Sequence, residues 1–349
     1  MNGTTSPTLH QEYMTPEAYK TLKPCDRRHP LAAVIHGSFS APDRPWPQIH
    51  SQLRPLDREV CIEVFFSDLP VIYRQHGVFQ RAFSNEVMFC GASLDADQAL
   101  PLTETSEKLY GELFAMLAGE KLPHLLRIWN ILADINQETE GLERYKQFCL
   151  GRHRAFEQFA PELADLYPSA SAVGAHAGGL TVYAIAAQAP GITVENPNQV
   201  SAYRYPPRYG PKSPSFSRAL VKQWEDVATL FISGTASITG HLSRHLNDCS
   251  AQVEMTMDNI ETLVKAANDQ SAYDHSREVF TAELDQAILK IFVRNQEDLP
   301  DIQAAMKRRL GQRLNSLILE ADLCRAELLF EVEGAMTCPA KERRQRAAG

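Results

Sequence analysis

The sequence predicts an α/β protein built from one order of elements used twice: strand, strand, helix, strand, helix, strand, strand. Two observations carry this. Short segments that are continuously apolar or alternate with period two are separated by longer ones whose apolar residues recur every three or four positions. Two such stretches also follow one another in the same order on either side of QAPGITVENPNQV, a connection rich in Pro, Asn and Gly, which makes an internal duplication the economical explanation. The boundary is placed near residue 195, giving an N-terminal unit of residues 1–195 and a C-terminal unit of residues 196–349.

In the first stretch NEVMFCGASLDA reads as strand and turn, LTETSEKLYGELFAMLAG as helix, HLLRIWNILADIN as strand, ERYKQFCLGRHRAFEQF as helix and SAVGAHAGGLTVYAIAAQ as closing strands. The second runs through ATLFISGTASITGH, the helix DCSAQVEMTMDNIETLVKAA, AILKIFVRN, the helix DLPDIQAAMKRRLG and two strands in LNSLILEADLCRAELLFEVEG. Val253, Met257, Ile260, Val264 and Ala267 form one helical stripe, and Pro300 and Gly311 mark the start and stop of the following helix. Residues 1–30 and the basic tail CPAKERRQRAAG lack apolar period and are expected outside the core.

Against 43 Asp+Glu stand 35 Lys+Arg, a net charge of −8 that argues against nucleic acid as a partner. With 44% hydrophobic and 22% charged residues the chain can bury a core. No apolar run is long enough to span a bilayer and the N-terminus has no signal-peptide pattern, so no membrane partner and a cytosolic location are expected. The seven cysteines are scattered without a CxxC pair, which argues against a disulfide framework or a zinc site. His241 and His245 are four apart, but Gly240 beside them suggests a turn and two solvent-facing loop histidines, so no metal and no organic cofactor are expected.

Three places could carry chemistry. In RAELLFEVEG the alternation puts Leu328, Phe330 and Val332 toward the helices and Glu327, Leu329, Glu331 and Glu333 on the other face. That face is either solvated or covered. If covered, Glu331 becomes a desolvated carboxylic acid fit for general acid catalysis. Arg152 falls inside the apolar stripe Tyr145, Phe148, Cys149, Phe156 and Phe159, so it needs a protein carboxylate, an escape to solvent or an anionic ligand. The proline-stiffened segment SAYRYPPRYGPKSPSFSRA gathers Tyr203, Arg204, Tyr205, Arg208, Tyr209, Lys212 and Arg218, either a solvated linker or the wall of an anion site.

The second stretch resembles the RidA (YjgF) family in SGTAS, AQVEMTMDNIETLVKAA, KIFVRNQEDLPDIQAAM and LLFEVEG. Most of residues 60–335 resembles, more narrowly, the chorismatases, through SAYRYPPRYGPKSPSFSRA, SGTASITGH and ADLCRAELLFEVEG. The resemblance implies tandem RidA/YjgF-like units, each a chorismate-mutase-like sheet with helices packed on one face, in a monomer or small homo-oligomer. It implies chorismate as small-molecule substrate, a single pocket in the C-terminal unit, Glu331 as the acid that protonates the enolpyruvyl group, and Arg152, Tyr209, Arg218 and Arg309 as carboxylate binders. Tyr183 stands near the acid's place in the first stretch, so no second site is expected there. Cys324, otherwise a small buried hydrophobe, matches the Cys of hydroxybenzoate-forming members, where hydrolytic ones have Ala. Ala236 aligns with a position that is Gly in 3-hydroxybenzoate formers and Ala in hydrolytic ones. The mixed pair is similar to the branch making 3- and 4-hydroxybenzoate for aryl-polyene pigment and quinone supply. The rivals are a hydrolytic chorismatase giving a dihydroxycyclohexadiene carboxylate, and a RidA-like effector-binding protein or imine deaminase, whose imino-acid-holding Arg would fall near Ser316.

Overall fold

Long-range strand pairing turns these segments into three sheets rather than two. The computed structural model describes residues 9–339 apart from 27, 100, 164–165, 226, 271–279, 282–283, 285 and 312–314. The first sheet joins β1 (Leu9–Met14), β2 (His29–His36), β3 (Gln48–His50) and β4 (Cys61–Ser67) in the order β1-β4-β2-β3, with helix α1 (Pro16–Thr21) between β1 and β2.

The second sheet uses β5 (Ile72–His76), β6 (Phe79–Phe83), β7 (Val87–Leu94), β8 (His124–Ala133), β9 (Ser169–Ala175) and β10 (Leu180–Ala187), with α2 (Leu102–Gly119) and α3 (Arg144–Phe159) as crossovers. Its order is β9-β8-β10-β7-β6-β5, and the two-residue strand Asp322–Leu323 pairs onto β9. The third sheet uses β11 (Ile192–Val194), β12 (Ala219–Gln223), β13 (Val227–Ala236), β14 (Ala287–Val293), β15 (Asn315–Glu320) and β16 (Phe330–Pro339), with α4 (Cys249–Gln270) and α5 (Leu299–Leu310). Its order is β11-β12-β13-β16-β14-β15, and Arg54–Pro55 pairs onto β15.

The repeat seen in the sequence is thus a repeat of topology. In each sheet a strand pairs antiparallel to a central one (β1/β4, β7/β10, β13/β16), which pairs antiparallel to a third (β2, β8, β14), itself parallel to a fourth (β3, β9, β15). The first sheet is a shortened copy with one brief helix. Its apolar signal is weak because LHQEYM is mostly polar and PEAYKT spans barely two turns. Even so, Tyr19 is fully buried beside Trp46 and Phe66, so the expectation that residues 1–30 lie outside the core is corrected for residues 9–22. At the other end Cys338 is buried within β16. Residues 1–8 and 340–349 lie outside the described residues. Just before the expected boundary near residue 195, Ile192–Val194 pairs with β12 and belongs to the third sheet.

Helices cover one face of each sheet. Val253, Met257, Ile260, Val264 and Ala267 are all buried against the third sheet, and α5 stops at Gly311, whose φ of 75° suits a residue without Cβ. The opposite faces pack on one another in a shared cluster that includes Phe65, Trp129, Tyr183, Phe292 and Leu319. The face of the third sheet that carries Glu331 is covered rather than solvated, and this decides the character of Glu331. Among the described residues no helix is long and apolar enough to cross a membrane.

Candidate active site

A cavity of about 350 Å³ opens where α3 of the second sheet meets the third sheet, a size suited to a small organic ligand. The expected pocket inside the C-terminal unit is therefore corrected to one at a junction, with Tyr145 and Cys149 of α3 forming one wall. The loop before β12 forms another through Tyr205, Tyr209, Phe216 and Arg218, and the turn at Cys324 and Arg325 closes the mouth. Gly234, Ala236 and Glu331 form the floor.

The floor is shaped by a β-bulge. The β13/β16 register slips between Ile232 and Thr235, so Ser233 and Gly234 leave the ladder and bond to the second sheet: Gly234 N donates to Ser171 Oγ at 2.9 Å and Ser233 Oγ accepts from Ala170 N at 2.9 Å. Ala236 is the cross-strand partner of Glu331 and is buried beside it.

Alternation in β16 sends Phe330 and Val332 into the helix-side core and Glu331 and Glu333 inward, as the sequence pattern predicts. Leu328 and Leu329 exchange the faces assigned to them: β16 begins only at Phe330, and the preceding turn rotates Leu328 into the inter-sheet cluster. Glu331 is 4% exposed, and its pKa is pushed up to about 8, first by burial and then by the neighbouring Glu333 charge, against the pull of Arg127, Arg218 and Arg294. It carries its proton at neutral pH. Burial would also raise Glu333, but Lys290 and Arg127 override that and hold it below the ordinary carboxylate value. Two carboxyls two residues apart on one strand therefore hold opposite protonation states.

The lining Lys146 and Lys212 pair with Glu143 and Glu157, but three guanidiniums around the cavity form no ion pair among the described residues. Arg152 is 3% exposed and lies in a small recess that shares Tyr145, Cys324 and Glu331 with the cavity. Its guanidinium donates to Ser215 O and sits 5.4, 5.8 and 5.6 Å from the ring centres of Tyr110, Phe148 and Phe156. No carboxylate pairs with it among the described residues. Arg218 donates to the Tyr205 hydroxyl at 2.7 Å and to Val200 O at 2.9 Å. Arg325 lies 4.2 Å from the Tyr209 ring centre and donates to His241 O and Ser243 Oγ, both at 3.0 Å. Arg152 Nε, Arg218 Nε and Arg325 Nη2 are all buried without a hydrogen-bonding partner among the described residues, an arrangement that suits an anionic ligand. Tyr209 donates to His241 O at 2.6 Å, which fixes its ring at the mouth.

Two side chains named from the sequence lie elsewhere. Arg309 is no carboxylate binder of this cavity. It clamps α5 to α4 through Glu254 at 3.1 Å, Asp258 at 2.5 Å and Glu261 at 2.8 Å. Tyr183 is stacked on Trp129 with ring centres 4.8 Å apart and accepts from Lys290, away from the cavity. The sequence reading missed Arg325, although it adjoins Cys324, and missed Gly234 inside SGTAS. Cys324 lines both the cavity and the recess as a thiol pushed up to about 12 by burial and then by Glu331. His241 and His245 lie on the segment before α4, and no cluster of His, Cys, Asp and Glu suited to a metal ion occurs among the described residues.

The chain aligns with a 3-hydroxybenzoate synthase of Streptomyces hygroscopicus at 31% identity over 318 residues, covering 88% of this chain and 92% of that protein. The chain belongs to the chorismatase family. A family model described as chorismatase FkbO/Hyg5-like, N-terminal, matches residues 63–186, which run from β4 through the second sheet. A chorismatase of Streptomyces rapamycinicus is 37% identical over 232 residues, 65% of this chain and 68% of that one. The crystal structure of a chorismatase superposes with a TM-score of 0.81 at 26% identity, covering 95% of this chain and 99% of the other. As a chorismatase-family enzyme the chain shares the layered α/β architecture over nearly its whole length.

Proposed function

We propose that this chain cleaves chorismate to pyruvate and hydroxybenzoate, giving 3-hydroxybenzoate and 4-hydroxybenzoate, with Glu331 as the acid. The observation that carries the reading is a neutral, buried carboxylic acid on the floor of a cavity beside guanidiniums whose buried Nε or Nη2 atoms have no hydrogen-bonding partner among the described residues. Chorismate is a dicarboxylate with an enol ether. Arg152 in the recess and Arg218 and Arg325 toward the mouth supply charge for both carboxylates, and Tyr209 supplies a phenol.

Cleavage of the ether begins by protonating the enolpyruvyl methylene carbon. Glu331 gives up its proton there, and the carboxylate left behind faces the oxocarbenium ion it has created. The ring hydroxyl next to the ether then attacks the ether-bearing carbon: the bond to the pyruvate oxygen breaks, pyruvate leaves and the hydroxyl proton returns to Glu331, leaving a ring epoxide. One epoxide C–O bond then opens, its oxygen gaining a proton as the ring loses one, which yields 3- or 4-hydroxybenzoate according to the bond that breaks. Had water attacked instead, the products would be pyruvate and a dihydroxycyclohexadiene carboxylate. The Cys324 thiol and the Ala236 methyl border Glu331 and are assigned to this partition. Supply of aryl-polyene pigment or quinone precursors is the corresponding role for the product.

The test is to incubate the purified protein with chorismate, without added metal, and to separate the aromatic products while pyruvate is followed. Hydroxybenzoate in step with pyruvate supports the reading. A non-aromatic diol with pyruvate would keep the family and replace the product assignment, whereas no turnover would move the chain to a binding role. Cys324→Ala is expected to raise the diol fraction at nearly constant pyruvate release.

A further inference from the structure

Behind Glu331 lies a closed charge network to which all three sheets contribute. Glu333 accepts from Arg127 Nη2 at 2.6 Å on one oxygen, and from Trp129 Nε1 at 2.6 Å and Lys290 Nζ at 3.0 Å on the other. Lys290 is shared, with Nζ also 3.0 Å from Glu63 Oε2 and 3.1 Å from the Tyr183 hydroxyl. Glu63 is fixed by Gln11 at 2.5 Å and stands 3.4 Å from His36, whose other ring nitrogen meets Ser51 at 2.9 Å. Every charged member is 2% exposed or less.

The charges within this set balance. Arg127 and Lys290 face Glu63 and Glu333, while burial lowers the pKa of His36 and keeps it neutral near pH 7. Ionised Glu331 would add a second negative charge beside Glu333 with neither cation to spare. Of the other groups bearing on Glu331, Arg294 is paired with Asp322 and Cys324 is a thiol, while Arg218 and Arg152 lie outside this set, toward the cavity and its recess, where the ligand carboxylates are placed. Glu63 belongs to the first sheet, none of whose residues lines the cavity.

We propose that Glu63, Lys290, Arg127 and Glu333 are positioning residues that help keep the proton on Glu331 by leaving it no counter-ion within their balanced set, so that the first sheet governs an acid it never touches. The inference rests on the reading of Glu331 as the acid. It makes predictions of opposite sign for two partners in one ion pair. Glu63→Gln leaves the network with an excess positive charge, so Glu331 ionises more readily and the basic limb of the kcat/KM profile moves to lower pH. Lys290→Met leaves an excess negative charge and moves the same limb to higher pH. Each shift is expected to be about one pH unit.

The experiment is the pH profile of pyruvate release from chorismate for the wild type and both variants, with thermal melts recorded alongside. A network that only supported the fold would lower the melting temperatures and leave the limb in place, and that result overturns the inference. Wild type and Glu331→Gln are also compared by difference infrared spectroscopy, which needs no network variant to fold. A carboxylic acid band at pH 7 that titrates away near pH 8 supports the inference, and its absence overturns it. Full activity in Glu331→Gln would instead remove the assignment of the acid itself, which separates the two failures.

Discussion

Gly234 stands so close to Glu331 that a Cβ at position 234 would overlap Glu331 Oε1. The bulge in β13 brings the backbone to the acid, and the missing side chain leaves room for the carboxyl group. Gly234→Ala must therefore displace Glu331, and a displacement of about 1 Å at a reacting group can cost on the order of 100-fold in rate. A loss of that size in kcat/KM, with a native melting transition, is expected. A variant of wild-type activity would show that Glu331 need not occupy this position.

The raised pKa of Glu331 has a thermodynamic consequence. In the unfolded chain the group ionises near its ordinary value of 4.5, and in the folded chain only near pH 8. Between those values the folded state holds the extra proton, so this group's contribution to stability declines as pH rises through the window. Glu331→Gln removes the decline. The melting temperature of the variant minus that of the wild type should increase from pH 5 to pH 8, and a flat difference would contradict the protonation state assigned here.

Arg325 is held by backbone and hydroxyl oxygens rather than by a carboxylate, leaving Nη2 for a ligand. A charge-assisted hydrogen bond is worth roughly 1.5–3 kcal/mol. Arg325→Gln should raise KM for chorismate by roughly 10- to 100-fold while kcat changes little. Initial rates over a range of chorismate concentrations decide this, and an unchanged KM would leave Arg325 as a prop for Tyr209.

Arg309 should behave in the opposite way. Its three partners are half-exposed surface carboxylates, and such a network contributes about 1 kcal/mol in all. Arg309→Ala should lower the melting temperature by a few degrees and leave kcat/KM unchanged. A large catalytic defect would return this residue to the site.

How far the sequence could be read depended on how local the deciding interactions are. Helical stripes such as Val253 to Ala267, and the alternation at Phe330 to Glu333, are set within a turn or two of chain and were legible. What covers the Glu331 face was not, because the cover comes from Ser171, Arg127 and Trp129, each distant in sequence. Arg309 was misread for the same reason: MKRRLG gives no sign that Glu254, Asp258 and Glu261 wait on α4. Arg152, by contrast, was legible as a cation inside an apolar stripe, since that signal is carried by its own helix. The first sheet escaped notice because LHQEYM is mostly polar and Gln48–His50 is only three residues long, and only their pairing with the apolar β2 and β4 identifies them.

Three sheets with one strand order in a single chain also bear on how such a site can change. In a symmetric oligomer of identical subunits every substitution appears at every interface, so a residue that suits one junction is imposed on all. Joining the copies covalently lifts that constraint. Here one junction holds an open cavity with an acid on its floor, while the inner faces elsewhere are filled by Trp129, Tyr183 and an ion network that closes them to all but the smallest voids. Each junction can therefore drift on its own, and the filled ones are free to stiffen the one that holds the cavity.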